Sequence, residues 1–257
     1  MLVGILGDLH GPFEDKRKLD LCFDVFEHLG VGHIILNGDV LDFYSINAHG
    51  PKHPDVKENL ESEFAWGIKF FKDLRDRFPK AKITFNAGNH EYRLDRFIMK
   101  YCPHFWNMLK LKNMLRLEEL NIDYNEYNEA YKIPNSELYV QHSPPSYSEN
   151  AAKTSLKKKV DCDHIWNCSH RTDMAVMTGG TGNVYTSYIN GWFGAKTIIH
   201  DLQKEMPENR KVFNFAKNHE SWNTSFCIAS IVNGKHDVQQ ILIKDYRCSV
   251  GGIVYEG

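Results

Sequence analysis

The stretch Gly7-Asp8-Leu9-His10-Gly11 follows directly on the apolar run Leu2–Leu6, and its reading decides the fold. A short apolar run that ends in Gly-Asp-x-His reads as a buried strand releasing two polar side chains into a loop. Residues two apart on a strand share a face, so the Asp8 carboxylate and the His10 imidazole leave on one side, where both can grip one cation. Asp-x-His also recurs by chance. Its weight depends on whether further oxygen and nitrogen donors follow later strands in the same way.

They do. Ile34–Leu36 runs into Asn37-Gly38-Asp39, and Ile83–Phe85 into Asn86-Ala87-Gly88-Asn89-His90-Glu91. Leu138–Val140 leads into Gln141-His142, and His164–Trp166 into Asn167-Cys168-Ser169-His170. Asp8, His10, Asp39, Asn89, His90, His142 and His170 thus each lie shortly after one of five predicted strands. Ligand sites of α/β sheets gather beyond the carboxyl ends of strands. A single His at such an end is more often a solvated or hydrogen-bonded residue than a ligand. The joint pattern reads as a site.

Helical periods fill the intervals. Lys16–Leu29 carries Leu19, Cys22, Phe23, Phe26 and Leu29 at helical spacing. Glu58–Phe78 carries Leu60, Phe64, Ile68, Phe71 and Leu74 on one face, with Pro79 beyond its end. A helical region is predicted from Tyr92 to near Leu120, broken at Cys102-Pro103. Tyr131–Ile133 and Leu138–Val140 pair around Pro134-Asn135-Ser136. Ala151–Lys159 is a short helix, Gly179-Gly180-Thr181-Gly182 a turn, and Phe226–Val232, Val238–Ile243 and Ile253–Tyr255 are strands. Early βαβα alternation followed by strands implies one α/β domain spanning 1–257 with mixed sheets.

The 257 residues are 42% hydrophobic and 25% charged, which is ordinary globular composition and enough chain for a core without disulfides. A net charge of -2 argues against a nucleic-acid or membrane surface overall, while leaving a local basic patch open. The six cysteines are scattered, as expected of reduced thiols in a cytoplasmic protein. Met1-Leu2-Val3-Gly4 has no basic segment before its apolar run, so no cleavable signal is expected. No apolar run approaches the ~20 residues of a membrane span.

The order Gly7-Asp8-Leu9-His10, Gly38-Asp39, Gly88-Asn89-His90-Glu91, His142 and a terminal His motif resembles the calcineurin-like metallophosphoesterase superfamily. With Gly38-Asp39-Val40-Leu41-Asp42-Phe43 it looks like the compact phosphoesterases of bacteria and their phages. The resemblance covers residues 2–171 by motif. It implies a two-sheet β-sandwich flanked by helices, with a binuclear metal site at the carboxyl ends of the strands. It also implies a phosphatase or phosphodiesterase using two divalent cations (manganese, iron, zinc or nickel). The first cation would be held by Asp8, His10, Asp39 and His170, and the second by Asp39, Asn89 and His142, with Asp39 bridging. His90 would be the general acid.

One departure bears on the second cation. The family's last motif is usually Gly-His-x-His, and Asn167-Cys168-Ser169-His170 puts Cys168 where the first His is expected. Two readings stand: a thiolate ligand, for which zinc and iron have good affinity, or a buried thiol beside a weakened site.

Around this set, Asp42 has the spacing at which the protein Ser/Thr phosphatase branch orients the acid His, so it is expected to act on His90. That branch continues with an Arg for phosphate. Phe43 stands there instead and argues against a protein phosphatase, although Gly11 and Glu91 match the branch. Arg93 is the candidate phosphate contact, against the commoner reading of a salt bridge on a helix face. His49 and His53 fall in a loop on the expected mouth side. Lys157-Lys158-Lys159 reads as a solvated helix end before a polyanion contact. Trp66, Phe70 and Phe71 read as core, and Trp222 and Phe226 as packing near the last sheet. Nucleic acid stays open as the ester. A nuclease, a protein phosphatase and a metal-binding pseudoenzyme are the rival readings, and the oligomeric state is not legible.

Overall fold

Leu2–Leu6 forms strand β1, buried from Val3 onward. The structure is a computed structural model, and it describes residues 1–47, 59–158, 161–195 and 221–257. Parallel to β1 run β2 (His33–Asn37), β3 (Lys82–Asn86) and β4 (Ile122–Asn125). On the other side of β1 the late strand β10 (Thr224–Val232) pairs antiparallel, with β11 (Lys235–Ile243) beyond it. The order of this six-stranded sheet is β11-β10-β1-β2-β3-β4. A second sheet of five strands has the order β5-β6-β7-β9-β8. Its members are β5 (Tyr131–Lys132), β6 (Leu138–Val140), β7 (Asp163–Trp166), β8 (Asp173–Thr178) and β9 (Val184–Ile189). A hairpin of β12 (Arg247–Val250) and β13 (Ile253–Glu256) follows.

The period-two pattern of β1 sorts its side chains between two cores. Val3 and Ile5, with Ile35 of β2, meet Leu138, Val140 and Ile165 of the second sheet, so the sheets pack face to face. Leu6, Leu36, Ile83 and Phe85 point the other way. They pack against α1 (Lys16–Leu29), α2 (Leu60–Arg77) and α3 (Glu91–Tyr101), which contribute Phe26, Phe71 and Ile98 among others. On the far face of the second sheet, Trp166 and Ile189 pack on Ala151 and Ala152 of α5 (Ala151–Lys158). The result is two sheets flanked by helices, as the resemblance implied. Each fully buried Leu, Ile or Phe in these layers is worth roughly 1.5–3 kcal/mol.

The helix ends follow their caps. Asp15 accepts from Lys18 N–H at the start of α1, and Gly30, in the left-handed region, closes it. Asn59 and Ser62 form a capping box on α2. The region after Cys102 differs from expectation. It contains only a 3-10 turn at Pro103–Phe105 and α4 (Leu111–Met114), the rest being turns. β4, β8, β9 and β12 were not predicted. No helix among the described residues is long and apolar enough to cross a membrane.

Candidate metal centre

β1, β2 and β3 are parallel neighbours, as are β6 and β7 in the facing sheet, so their carboxyl ends open on one edge. The first two loops stay paired past the strands. Asp8 N–H donates to Gly38 C=O (2.9 Å), His10 N–H to Asp39 C=O (2.9 Å) and Gly11 N–H to Val40 C=O (2.8 Å). Asp8, His10, Asp39, Cys168 and His170 all take left-handed backbone angles, with φ of 54°, 54°, 50°, 67° and 60°. Such angles are uncommon outside glycine, although Asp, Asn and His tolerate them best, and they concentrate where the chain aims functional side chains.

Asp8, His10, Asp39 and His170 bring one donor atom each within 4.8 Å of one another. His10 Nε2 and His170 Nε2 lie 3.1 Å apart. Asp8 Oδ1 is 3.3 Å from the His170 nitrogen and 3.9 Å from that of His10. His10 Nδ1–H donates to Asp42 Oδ2 at 2.9 Å, which leaves the Nε2 lone pair facing the group. Asp8 Oδ1 is fully buried and has no hydrogen-bond partner among the described residues. An orphaned buried carboxylate oxygen is costly. Set among inward-facing lone pairs, it is what a divalent cation would satisfy, so these residues fit a metal.

A second group shares Asp39. His142 Nδ1–H donates to Asn37 C=O at 2.7 Å, turning Nε2 inward. That Nε2 lies 3.2 Å from Asp39 Oδ2 and 3.0 Å from Asn89 Oδ1. Cys168 Sγ lies 2.9 Å from the same Asn89 oxygen. Donor atoms of Asp39, His142 and Cys168 likewise lie within 4.8 Å of one another. Asp39 Oδ1 already accepts His90 N–H at 2.8 Å, so Oδ2 is the oxygen left facing His142. Burial would raise the carboxyl pKa of Asp8 and Asp39, but the surrounding imidazoles outweigh it and hold both down. Burial works against a charged His142, yet Asp39 and Cys168 carry its pKa well up.

Comparison with known proteins adds the family. The family model for calcineurin-like phosphoesterases matches residues 1–205.

The chain belongs to the calcineurin-like phosphoesterases.

No curated protein matches it by sequence. Among solved structures it is similar to Vps29 of Chaetomium thermophilum, with 12% identity and a TM-score of 0.43 over 95% of this chain and 86% of that one. It is similar to vacuolar protein sorting 29 of Cryptosporidium parvum, at 12% identity and a TM-score of 0.44 over 100% and 98%. It is also similar to YfcE, a phosphoesterase from E. coli, at 12% identity and a TM-score of 0.40 over 95% and 100%.

In this calcineurin-like phosphoesterase His90 stands beside both groups, with Nε2 at 3.7 Å from Asp39 Oδ2. Asp42 faces its ring with both its carboxylate and its backbone carbonyl. The Asp42 carboxylate takes its hydrogen bond from His10, and lies 3.4 Å from His90 Nδ1. It is the Asp42 backbone carbonyl that accepts from His90 Nδ1, at 2.9 Å. Burial opposes a charged His90, but Asp39 and Asp42 prevail and its pKa is raised. Arg93 donates from Nη1 to the Asp42 carbonyl (2.8 Å) and from Nη2 to His90 Nε2 (2.7 Å). Nη1 also pairs with the Asp42 carboxylate at 3.5 Å, so Arg93 is a half-buried ion pair within the site and not a free phosphate clamp. Phe43 is fully buried, with its ring 5.6 Å from that of Phe64, so this position carries no phosphate contact.

Beneath the donors runs an amide ladder, buried except at its outer member Asn125. Asn125 donates to Asn86 (2.7 Å), Asn86 to Asn37 (3.2 Å), Asn37 to Asn167 (2.8 Å) and Asn167 to Asp8 Oδ2 (3.0 Å). Asn37, Asn86 and Asn125 stand side by side in register on β2, β3 and β4. Sequence reasoning passed over these four. Each directly follows a strand or closes one, and that recurrence was the available signal. Glu91 was noted only as a motif match, yet its carboxylate accepts the buried N–H groups of Asp39 (2.8 Å), Leu41 (2.9 Å) and Gly88 (2.7 Å). A Cβ on Gly88 would sit 2.2 Å from Asp39 Oδ1, so this loop can close on Asp39 only as glycine.

Two aromatics were also missed as site neighbours. Trp192 stacks on His170 at 5.6 Å, and Trp222 meets it edge-on at 4.0 Å and Trp192 at 4.7 Å, so Trp222 packs on a candidate ligand and its aromatic neighbour. Phe226 and Phe71 are core, and Trp66 stacks on Phe70 at 5.0 Å. Lys157 and Lys158 end α5 exposed to solvent. His49, His53 and Lys159 lie outside the described residues.

Proposed function

We propose that the chain is a metal-dependent phosphoesterase that hydrolyses a phosphate mono- or diester, working as one domain over 1–257. The observation that carries this reading is the pair of donor groups joined at Asp39, one of them holding the unpartnered Asp8 Oδ1. Asp8, His10, Asp39 and His170 would hold one divalent cation, and Asp39, Asn89, His142 and Cys168 a second. Bound there, such ions supply activation of water and neutralisation of charge on phosphate oxygens.

The chain's own residues do the rest. Asp42 fixes the His10 tautomer through its carboxylate and steadies His90 through its carbonyl. His90 protonates the leaving oxygen from Nε2. Arg93 Nη2 occupies that same nitrogen. Turnover therefore requires Arg93 to leave Nε2, and a phosphate arriving beside it gives the guanidinium a stronger bidentate partner. Cys22, Cys102, Cys162, Cys168, Cys227 and Cys248 are all free thiols, which supports a reducing, cytoplasmic setting.

The test is turnover of p-nitrophenyl phosphate and bis-p-nitrophenyl phosphate with added manganese, alongside metal analysis of the purified chain. Turnover of either supports the reading, and the preferred substrate separates monoesterase from diesterase or nuclease. No turnover of either ester, with less than one metal per chain, overturns it in favour of a pseudoenzyme.

A further inference from the structure

The two donor groups differ in one atom type. The first offers carboxylate oxygens and imidazole nitrogens from Asp8, His10, Asp39 and His170, whereas the second adds a sulfur. Cys168 is not a surface thiol that happens to be near. Its N–H donates to Asp8 Oδ2 at 2.9 Å, anchoring the residue to the first group. Its left-handed backbone, φ 67°, turns Sγ toward Asn89 Oδ1 at 2.9 Å. Of the other members of the second group, Asp39 and His142 are buried and committed. His142 and Asp39 are 2% and 1% exposed, and each has its other polar atom taken by a backbone partner. What remains free to converge is Nε2 of His142, Oδ2 of Asp39, Oδ1 of Asn89 and Sγ of Cys168.

From this set we infer that Cys168 is a thiolate ligand that makes the two positions chemically unequal, so the protein takes a mixed pair of ions: a thiophilic one such as zinc in the Cys168 group, and a hard one such as manganese in the Asp8 group. The inference rests on the two-cation reading above. Soft thiolates select zinc-like ions, whereas carboxylate and imidazole suit manganese as well. Coordination releases the thiol proton to solvent and replaces the S–H to Asn89 contact with an S–metal bond. The nitrogen-and-oxygen group lacks this added thiolate preference and accepts manganese as well as zinc, so the sulfur-based discrimination between the two positions resides at one residue.

Cobalt(II) reports on this directly, because only a sulfur-ligated ion shows a thiolate charge-transfer band in the near ultraviolet. Titration of the metal-free chain is expected to give that band within two equivalents. Cys168→Ser should abolish it while keeping the visible ligand-field bands of cobalt in the first group. Zinc affinity of that variant should fall by at least about 100-fold, since even outer partners of a ligand cost about 10- to 100-fold. In the unmodified chain, zinc and not manganese should slow alkylation of Cys168, mapped by mass spectrometry, so the answer does not depend on the variant folding. Two cobalt ions bound without the band, or a band that survives in Cys168→Ser, overturns the thiolate inference and leaves the phosphoesterase reading standing. Failure to bind any cobalt overturns both.

Discussion

Asp42 accepts His10 Nδ1–H on its carboxylate at 2.9 Å, which puts this acid behind a candidate ligand more directly than behind the candidate general acid. A carboxylate behind a ligating imidazole fixes its tautomer and raises its basicity, and losing it typically costs about 10- to 100-fold in metal affinity. Asp42→Asn keeps the backbone carbonyl that His90 uses. The variant is therefore expected to lose affinity for the first cation by about that factor, and to regain much of its rate at high metal concentration. Metal titration followed by kcat at saturating metal tests this. An unchanged metal affinity with a kcat that metal cannot rescue would assign Asp42 to His90 instead.

His90 is expected to matter most where the leaving group needs a proton. His90→Asn should reduce kcat for alkyl phosphates by about 10²–10⁴-fold, the usual span of general acid catalysis. The loss for p-nitrophenyl esters should be much smaller, because nitrophenolate departs without one. Bound metal should be unchanged. An equal loss on both ester classes would point to a positioning role for this ring.

Glu91 couples the candidate metal loops to the fold. Its carboxylate closes the loop after β3 onto the loop after β2 through three buried N–H groups. Burial, followed by the nearby Asp39 charge, pushes its own pKa up to about 7. Glu91→Ala would strand three donors, each at about 1–3 kcal/mol. A loss of at least about 3 kcal/mol in urea unfolding is expected. Glu91→Gln keeps an acceptor oxygen and should fall between the two. A Glu91→Ala loss below about 1 kcal/mol would mean the loops are held by their mutual backbone pairing alone.

The most legible parts of the fold, the strands that carry the donors and the two long helices, have one-sided or complete burial. β1, β2 and β3 are nearly continuous apolar runs, and the faces of α1 and α2 repeat at helical spacing. β8 was invisible because it is an edge strand never fully buried, with Met174 and Val176 more than half exposed. β4 is short, polar and at a sheet edge. The donor set was readable because each member follows a strand that is itself readable. What could not be read was pairing through space. Nothing local says that Asp42 turns its carboxylate to His10, that Arg93 folds back on His90, or that Trp222 reaches His170 across the chain.

His33 offers a stability test remote from the metal loops. It sits on β2 with Nε2 2.9 Å from Thr84 Oγ1 and a buried Nδ1 that has no partner among the described residues. Burial, reinforced by the Lys82 charge, lowers its pKa to about 4. The unfolded chain therefore takes up this proton near pH 6.5 while the folded chain resists until about pH 4. Between those values the unfolded state binds more protons, so stability rises with pH. The contribution of neutral His33 is complete above about pH 6.5 and drains away as the pH falls, by up to roughly 3 kcal/mol in all. Other histidines and carboxylates titrate too, so the decisive quantity is a difference. His33→Gln keeps a hydrogen-bonding group near Thr84 but cannot titrate. Subtracting its urea-unfolding free energies from those of the unmodified chain should leave a curve that is flat above about pH 6.5 and slopes by up to about 1.4 kcal/mol per pH unit below it. A difference curve that is level from pH 7 to pH 4 would show that the folded chain protonates His33 as readily as the unfolded one, by opening β2 to water or by moving Lys82 away.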